Sequence, residues 1–224
     1  MNIVVVGGGF GGVKAAVELS KRHLGKITLI SDESYFLHHA TLYATATGKD
    51  MSESVIPLAN IFEHHPNVTV IKDKMTSLDP ERRLVIGKKK QYHYDALIVA
   101  IGSVTTFFNI KGVAEHSYGI KSLDEVRAFQ DHIHKEVVTD KLDKEYFVIG
   151  AGPTGIELAG ALNEYLRRLI SLHRLKNSRA RVTVVEAAPR ILPRSSKTAS
   201  RIVGKRLKKL GIKVLTNQKV EALD

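Results

Sequence analysis

The sequence predicts an α/β protein built on parallel sheets, and two observations predict it. Apolar, β-branched runs alternate with stretches of helical periodicity. The opening unit also occurs twice: Val4-Val5-Val6-Gly7-Gly8-Gly9-Phe10-Gly11-Gly12 is matched by Phe147-Val148-Ile149-Gly150-Ala151-Gly152-Pro153-Thr154-Gly155 at a constant offset of 143. The match continues beyond the glycines, Ala16 meeting Ala159 and Leu19 meeting Leu162, so a whole structural unit is repeated.

Residues 2–6 form a first strand that ends at Gly7-Gly8-Gly9, after which Val13, Ala16, Val17 and Leu19 recur at helical spacing. A second strand over 27–30 completes a βαβ unit whose strands must run parallel and, being buried on both faces, read as unbroken apolar runs. Further strands are predicted over 68–71, 83–86 and 96–101. Ser122-Leu123-Asp124-Glu125 fits a capping box and starts a connecting helix to about Val138. In the second repeat, Leu158, Leu162, Leu166, Leu169 and Leu172 line one face of a longer helix, followed by a strand over 181–185. A last helix over 197–210 carries an apolar stripe of Ala199, Ile202, Val203, Leu207 and Leu210, with Gly211 just past its end and a strand over 212–215. These elements divide the chain into 1–110, a connecting segment 111–144, and 145–224. The sheet would ordinarily continue past Asp224, so the second domain reads as incomplete at the C-terminus.

Composition narrows the chemistry. In 224 residues, 43% hydrophobic and 25% charged is ordinary for a folded protein, and the chain is long enough to bury a substantial core. The absence of cysteine excludes disulfides, thiolate nucleophiles, redox dithiols and iron–sulfur or zinc–thiolate sites. The uncharged runs 1–13 and 96–110 fall short of the ~18 apolar residues of a membrane span. Met1-Asn2 lacks the basic lead of a signal peptide, which reads as a cytoplasmic start. The formal charge of +11 and the basic residues Lys197, Arg201, Lys205, Lys208 and Lys209, with Arg167, Arg168, Arg174 and Lys176 on the other long helix, raise a non-catalytic alternative: a basic fragment that binds anionic membrane or nucleic acid. With aromatics at 6% and no nucleic-acid-binding signature, nucleic acid is not expected as a partner.

In Gly7-x-Gly9-x-x-Gly12, the first glycine permits the tight turn, the second lets a pyrophosphate approach the backbone, and the third lets helix and strand pack closely. The helix N-terminus then stabilises anionic charge without a basic side chain. Gly150, Gly152 and Gly155 repeat the arrangement, so two Rossmann-like dinucleotide sites are expected. Such a site takes an acidic residue at the end of its second strand to accept hydrogen bonds from the adenosine ribose. Glu186 supplies it in the second repeat, followed by Ala187, which favours NAD(H) over NADP(H); Arg190 is the nearest basic side chain and leaves a phosphate partner open. In the first repeat the same position is Ser31, with Asp32 one residue later. Two dinucleotides in one chain suggest electron transfer between them, with a flavin as the second carrier. Glu157 lies in the first turn of the second repeat's helix, where the helix dipole also favours an acid.

On these residues, the chain resembles the type II, single-subunit NADH:quinone oxidoreductases within the FAD/NAD(P)-binding, glutathione-reductase-like flavoproteins. The resemblance spans the whole chain. It rests on both glycine turns, on Leu42-Tyr43-Ala44-Thr45-Ala46-Thr47-Gly48, on Tyr94-Asp95-Ala96-Leu97-Ile98-Val99-Ala100-Ile101-Gly102-Ser103, and above all on Val185-Glu186-Ala187-Ala188-Pro189-Arg190-Ile191-Leu192-Pro193.

The resemblance implies that Gly7, Gly9 and Gly12 hold the FAD pyrophosphate, that Asp32 or Ser31 lies near its ribose, that Met75 offers backbone to its adenine, and that Ala100 and Gly102 line the same cofactor. Gly150, Gly152, Gly155 and Glu186 would hold NADH, and Glu157 would be the catalytic residue, linked to hydride and proton transfer toward a membrane quinone. It implies a peripheral enzyme on the inner face of the cell membrane that does not pump protons, and leaves a homodimer open. Such enzymes continue well beyond residue 224, so the isolated 224 residues are expected to hold FAD weakly or not at all and to reduce quinone poorly. Ferredoxin- and rubredoxin-reductase-like flavoproteins are the alternative within the fold; the disulfide and sulfide:quinone reductases work through cysteines, which this chain lacks.

Overall fold

The computed structural model describes residues 1–139, 142, 145–175 and 180–223. In chain order the elements are β1 (Asn2–Val6), α1 (Phe10–Lys21), β2 (Lys26–Ser31), β3 (Tyr35–Leu37), α2 (Leu42–Ala46), β4 (Val55–Pro57), α3 (Leu58–Phe62), β5 (Val68–Lys72), β6 (Met75–Asp79), β7 (Leu84–Gly87), β8 (Gln91–His93), β9 (Ala96–Val99), α4 (Val113–His116), α5 (Leu123–Val138), β10 (Glu145–Ile149), α6 (Pro153–His173), β11 (Arg181–Val185), α7 (Lys197–Lys209) and β12 (Lys213–Leu215). They form two compact units, Met1–His39 with Met51–Val104, and Ala40–Asp50 with Thr105–Asp224.

The first unit is a parallel sheet in the order β5-β2-β1-β9, with Val6 opposite both Ile30 and Val99. On one face Ile3, Val5, Ile27 and Leu29 pack with Ala16 of α1 and Leu58 and Phe62 of α3. On the other, Val4, Val6 and Ile30 meet Val85 and Tyr92 from the antiparallel sheet β6-β7-β8. Burial on both sides is why β1 carries no polar residue after Asn2. Each such side chain contributes ~1.5–3 kcal/mol by leaving water. The last strand is shorter than the predicted 96–101: Ala100 still donates its amide to the Val6 carbonyl at 2.7 Å, but β1 has ended and the chain turns away through Gly102 at φ +72°.

The three-stranded cover is pinned from below by a buried carboxylate. Asp73 accepts hydrogen bonds from the amides of Lys74 (2.8 Å) and Lys89 (3.1 Å) and from the Tyr92 hydroxyl (2.8 Å). Burial pushes the Asp73 carboxyl up, but the Tyr92 hydroxyl and the surrounding amides outweigh it and hold the group below the ordinary aspartate range. Burial, then the hydrogen bond and charge of Asp73, push the Tyr92 phenol up to about 12. A carboxylate with a lowered folded-state pKa stabilises the fold above its unfolded value and loses that contribution as pH falls through the folded one. Acid unfolding of the wild-type chain therefore includes a step below about pH 4 that Asp73→Asn removes, measured by circular dichroism against pH. Tyr92→Phe leaves the carboxylate short of a donor and is expected to cost ~1–2 kcal/mol in urea unfolding.

The second unit has the parallel order β10-β11-β12, with Ile149 opposite Val185 and Val185 opposite Leu215. Tyr146, Val148, Val182 and Val184 pack against Ile133 and Val137 of α5, Leu162 and Leu166 of α6 and Leu207 of α7. The capping box forms as the sequence predicts: the Glu125 amide donates to the Ser122 hydroxyl at 3.2 Å, and the Ser122 amide donates to the Glu125 carboxylate at 3.0 Å. Gln130 of α5 donates to the Thr45 carbonyl at 2.8 Å, which ties α2 into this unit.

Three sequence expectations fail here. Burial of the repeated strand on both faces does not hold for β10, where Phe147 is 58% and Ile149 45% exposed. They correspond to Val4 and Val6, and within the described residues of this unit no second layer takes the place of β6-β7-β8. Leu172 is 71% exposed, because a 21-residue helix reaches about 31 Å whereas the five residues of β10 or β11 reach about 17 Å, so the last turn of α6 overhangs the sheet. Ile202 is 60% exposed; the buried line of α7 runs through Ser200 and Leu207, and Ile202 lies roughly 140–160° from it, on the opposite side of the helix. The basic residues of α7 named above are exposed, whereas Arg167 donates to the Leu210 carbonyl at 2.9 Å and so caps the end of α7. Lys176, the fourth basic residue predicted beside α6, lies outside the described residues.

Candidate functional site: two glycine turns

Each repeat builds the same turn from the same constraints. The Gly7 amide donates to the Ile30 carbonyl at 2.8 Å, and the Gly150 amide to the Val185 carbonyl at 2.8 Å, so each turn is anchored to the end of the neighbouring strand. Gly7 takes φ +112° and Gly150 φ +98°, a region that only glycine enters without strain. A Cβ on Gly12 would lie 1.8 Å from the Gly7 oxygen, and one on Gly155 2.0 Å from the Gly150 oxygen, so the third glycine is demanded by the backbone itself.

The middle glycines differ in kind. A Cβ on Gly9 or Gly152 would meet nothing within 4 Å. Both residues are helix N-caps with no side-chain cap, and neither helix has an acid in its first turn. The Val13 and Ile156 amides bond back to the Gly9 and Gly152 carbonyls at 2.9 and 3.0 Å, so α1 and α6 start in register. The donors ahead of them, the amides of Phe10, Gly11, Gly12, Thr154 and Gly155, have no side-chain cap among the described residues, the situation in which a helix N-terminus can take an anion. Pro153 at the first helical position forgoes one of these donors and presets the helical φ. Room beside the middle glycine and donors without acceptors fit a diphosphate in both turns.

At the end of the second strand the repeats part. Glu186 accepts from the Ala151 amide at 2.7 Å through Oε2 and from the Ala188 amide at 2.8 Å through Oε1. Its carboxylate thus grips the glycine turn and retains acceptor capacity for hydroxyl donors. In the first unit the corresponding residue is Ser31, buried, with its hydroxyl accepting from the Glu33 amide at 3.3 Å. A Cβ on Gly8 would stand 2.4 Å from that hydroxyl, so a small residue is required on both sides of this contact. Asp32 is exposed, and Glu33 pairs with Lys72 at 3.4 Å.

The remaining predicted positions distribute as follows. The Ala100 carbonyl lies where a Gly7 side chain would be, 2.1 Å from its Cβ position, and so Ala100 lines the first turn directly, with Gly102 just beyond it in the same unit. Met75 opens β6 opposite Gly87, at an irregularity in the pairing, and packs on the cluster of Val4 and Val6. Glu157 lies just past the first turn of α6, which holds no acid, so the sequence expectation that put it within that turn is corrected; it is exposed, with no hydrogen bond or ion pair to the described residues, and its counterpart Lys14 pairs with Glu18 at 2.8 Å. Sequence reasoning missed the part of Arg190, whose guanidinium is bonded to the chain's own acceptors, and of Leu192, whose amide donates to the Ala151 carbonyl at 2.8 Å. The run Pro189-Arg190-Ile191-Leu192-Pro193 stands out in the sequence, but nothing in its spacing reports those contacts.

Fold and turns together define an α/β protein with two matched strand–glycine turn–helix units. The pyridine nucleotide-disulphide oxidoreductase family profile matches residues 1–224, and the chain belongs to that family. It is 31% identical to the type II NADH:quinone oxidoreductase NdhA of Mycobacterium tuberculosis across 99% of this chain and 50% of that protein, and 28% identical to the type II NADH:quinone oxidoreductase of Staphylococcus aureus across 85% of this chain and 50% of that protein. The chain thus spans about half the length of the curated relatives it matches. Among solved structures, the NDH2 of Plasmodium falciparum in complex with NADH superposes with a TM-score of 0.86 at 21% identity, covering all of this chain and 49% of that one. The sulfide:quinone oxidoreductase of Aquifex aeolicus superposes with a TM-score of 0.79 at 25% identity, covering all of this chain and 52% of that one.

Proposed function

We propose that this chain is the dinucleotide-binding part of an FAD-dependent NADH dehydrogenase that passes electrons from NADH through the flavin to a membrane quinone. The observation that carries the reading is the pair of matched glycine turns, each with room beside its middle glycine, of which one alone is gripped by a strand-end glutamate. Gly7, Gly9 and Gly12 would hold the FAD diphosphate, with Ser31 or Asp32 near the ribose, Met75 at the adenine, and Ala100 and Gly102 along the cofactor. Gly150, Gly152, Gly155 and Glu186 would hold NADH. Bound FAD supplies an acceptor for a hydride and a donor of single or paired electrons. The exposed Glu157 carboxylate, unshared within its unit, holds and moves the proton that accompanies transfer to the acceptor.

Contact with the bilayer falls to the basic face of α7, where Lys197, Arg201, Lys205, Lys208 and Lys209 each contribute ~1 kcal/mol of attraction to an anionic inner leaflet. Among the described residues no helix is long and apolar enough to cross a membrane. The type II NADH:quinone oxidoreductase relatives support the quinone as acceptor.

Anaerobic absorbance spectroscopy of the protein purified from its native source tests the reading. A flavin band bleached by NADH, poorly by NADPH, and restored by a quinone analogue is the expected result. Restoration by a ferredoxin or rubredoxin but not by quinone would move the assignment to the reductases of small iron proteins, and a colourless protein would end it.

A further inference from the structure

We propose that Arg190 is a positioning residue for the second glycine turn, and that it acts by spending its guanidinium on the chain's own carbonyls; the functional part rests on the reading of that turn as the NADH site. Among the described residues Arg190 pairs with no carboxylate. Its Nη1 donates to the Leu192 carbonyl at 2.9 Å and the Ser200 hydroxyl at 2.6 Å, and its Nη2 to the carbonyls of Pro193 at 2.5 Å and Ser195 at 2.9 Å. Four of the five guanidinium donors are thereby used. The Ser200 hydroxyl donates in turn to the Ile191 carbonyl at 2.7 Å, which fastens the connection after β11 to α7.

This clasp encloses a strained residue. Leu192 has φ +47°, which a branched side chain adopts only when its surroundings impose it. The imposition is visible: its carbonyl accepts from both Arg190 and the Ser195 amide (2.9 Å), and its amide is aimed at Ala151. The Ala151 peptide is consequently held from two sides, its carbonyl by the Leu192 amide at 2.8 Å and its amide by Glu186 at 2.7 Å, between Gly150 and Gly152 of the turn. The first repeat has no such device, since β2 leads through Ser31-Asp32-Glu33-Ser34 straight into β3. Two consequences follow for a dinucleotide. The second turn is preorganised by the clasp, and a phosphate on the adenosine ribose meets Glu186 with no guanidinium released to offset it. Discrimination against NADPH is therefore achieved by occupying an arginine, not by lacking one.

The test combines titration calorimetry with NADH and NADPH and amide hydrogen exchange at Leu192, on the 224-residue chain. In the wild type the Leu192 amide is protected and NADH binds more tightly than NADPH. Lysine offers a point charge and cannot hold four acceptors in one plane, so Arg190→Lys and Arg190→Gln are expected to expose the Leu192 amide and to weaken NADH roughly tenfold, about one charge-assisted hydrogen bond. Unchanged exchange and unchanged NADH affinity in both variants overturn the proposal. So does a loss confined to NADPH, which would place the guanidinium on the phosphate. If neither Arg190 variant folds, Ser200→Ala, which keeps the three carbonyl acceptors, must still speed Leu192 exchange, and no change there is a refutation. If the wild type binds neither nucleotide, the NADH reading fails while Leu192 exchange continues to decide the clasp.

Discussion

Gly155→Ala will lose the native fold of the second unit, whereas Gly152→Ala, three residues away, will fold and lose nucleotide. The first substitution puts a methyl group 2.0 Å from the Gly150 oxygen, at the contact that lets α6 start directly behind β10. Neither partner can move, because Gly150 is bonded to the Val185 carbonyl and Gly155 lies in the helix, so the overpacking cost is expected at about 3 kcal/mol, the upper end of what such substitutions carry. At Gly152 the added methyl meets nothing, and replacing one uncapped residue by another costs within about 1 kcal/mol. The methyl does occupy the space through which a diphosphate reaches the first-turn amides, and NADH affinity should fall by at least about tenfold, or ~1.4 kcal/mol. Urea unfolding and titration calorimetry separate the two effects. A Gly152→Ala chain that binds NADH as well as the wild type would show that no phosphate approaches this turn. Gly12→Ala and Gly9→Ala form the equivalent pair in the first unit, where the blocking contact is 1.8 Å.

Glu186→Ala is expected to have the next largest effect, because one carboxylate performs two tasks. It accepts the Ala151 and Ala188 amides, and leaving both donors without a charged partner costs ~1.5–3 kcal/mol of stability. It is also the acceptor proposed for the ribose hydroxyls, so NADH binding should weaken by about tenfold or more while NADPH, which gains nothing from a carboxylate, changes little. Glu186→Gln keeps an acceptor oxygen for only one of the two amides and turns an NH2 donor toward the other, so it should recover part of the stability at most and little of the preference for NADH. Equal losses for NADH and NADPH would leave Glu186 as a brace of the turn and remove it from ribose recognition.

The residues whose roles depend on their immediate neighbours were legible without a structure. Gly7 and Gly12 are dictated by a turn of six residues, Ser122 and Glu125 by one helical turn, and Glu186 by its place directly after an apolar strand. The short strands β3, β4, β6 and β8 were not, since three to five residues of mixed polarity acquire their pairing from a partner strand and not from a pattern of their own. Leu172 and Ile202 carry the right periodicity and still face outward, because periodicity says which residues share a stripe and not how far the neighbouring sheet extends beneath it.

By itself, then, the sequence determined the repeated strand–turn–helix unit and the positions of its glycines, because steric exclusion at a turn acts over a few bonds. Only the tertiary structure decided that Gly9 and Gly152 border open space while Gly12 and Gly155 are blocked, that Ala40–Asp50 joins the second unit, and that Arg190 serves Leu192, Pro193, Ser195 and Ser200. Each of these is settled by which atoms stand across a gap, and a gap is closed by chain segments that the local sequence does not contain.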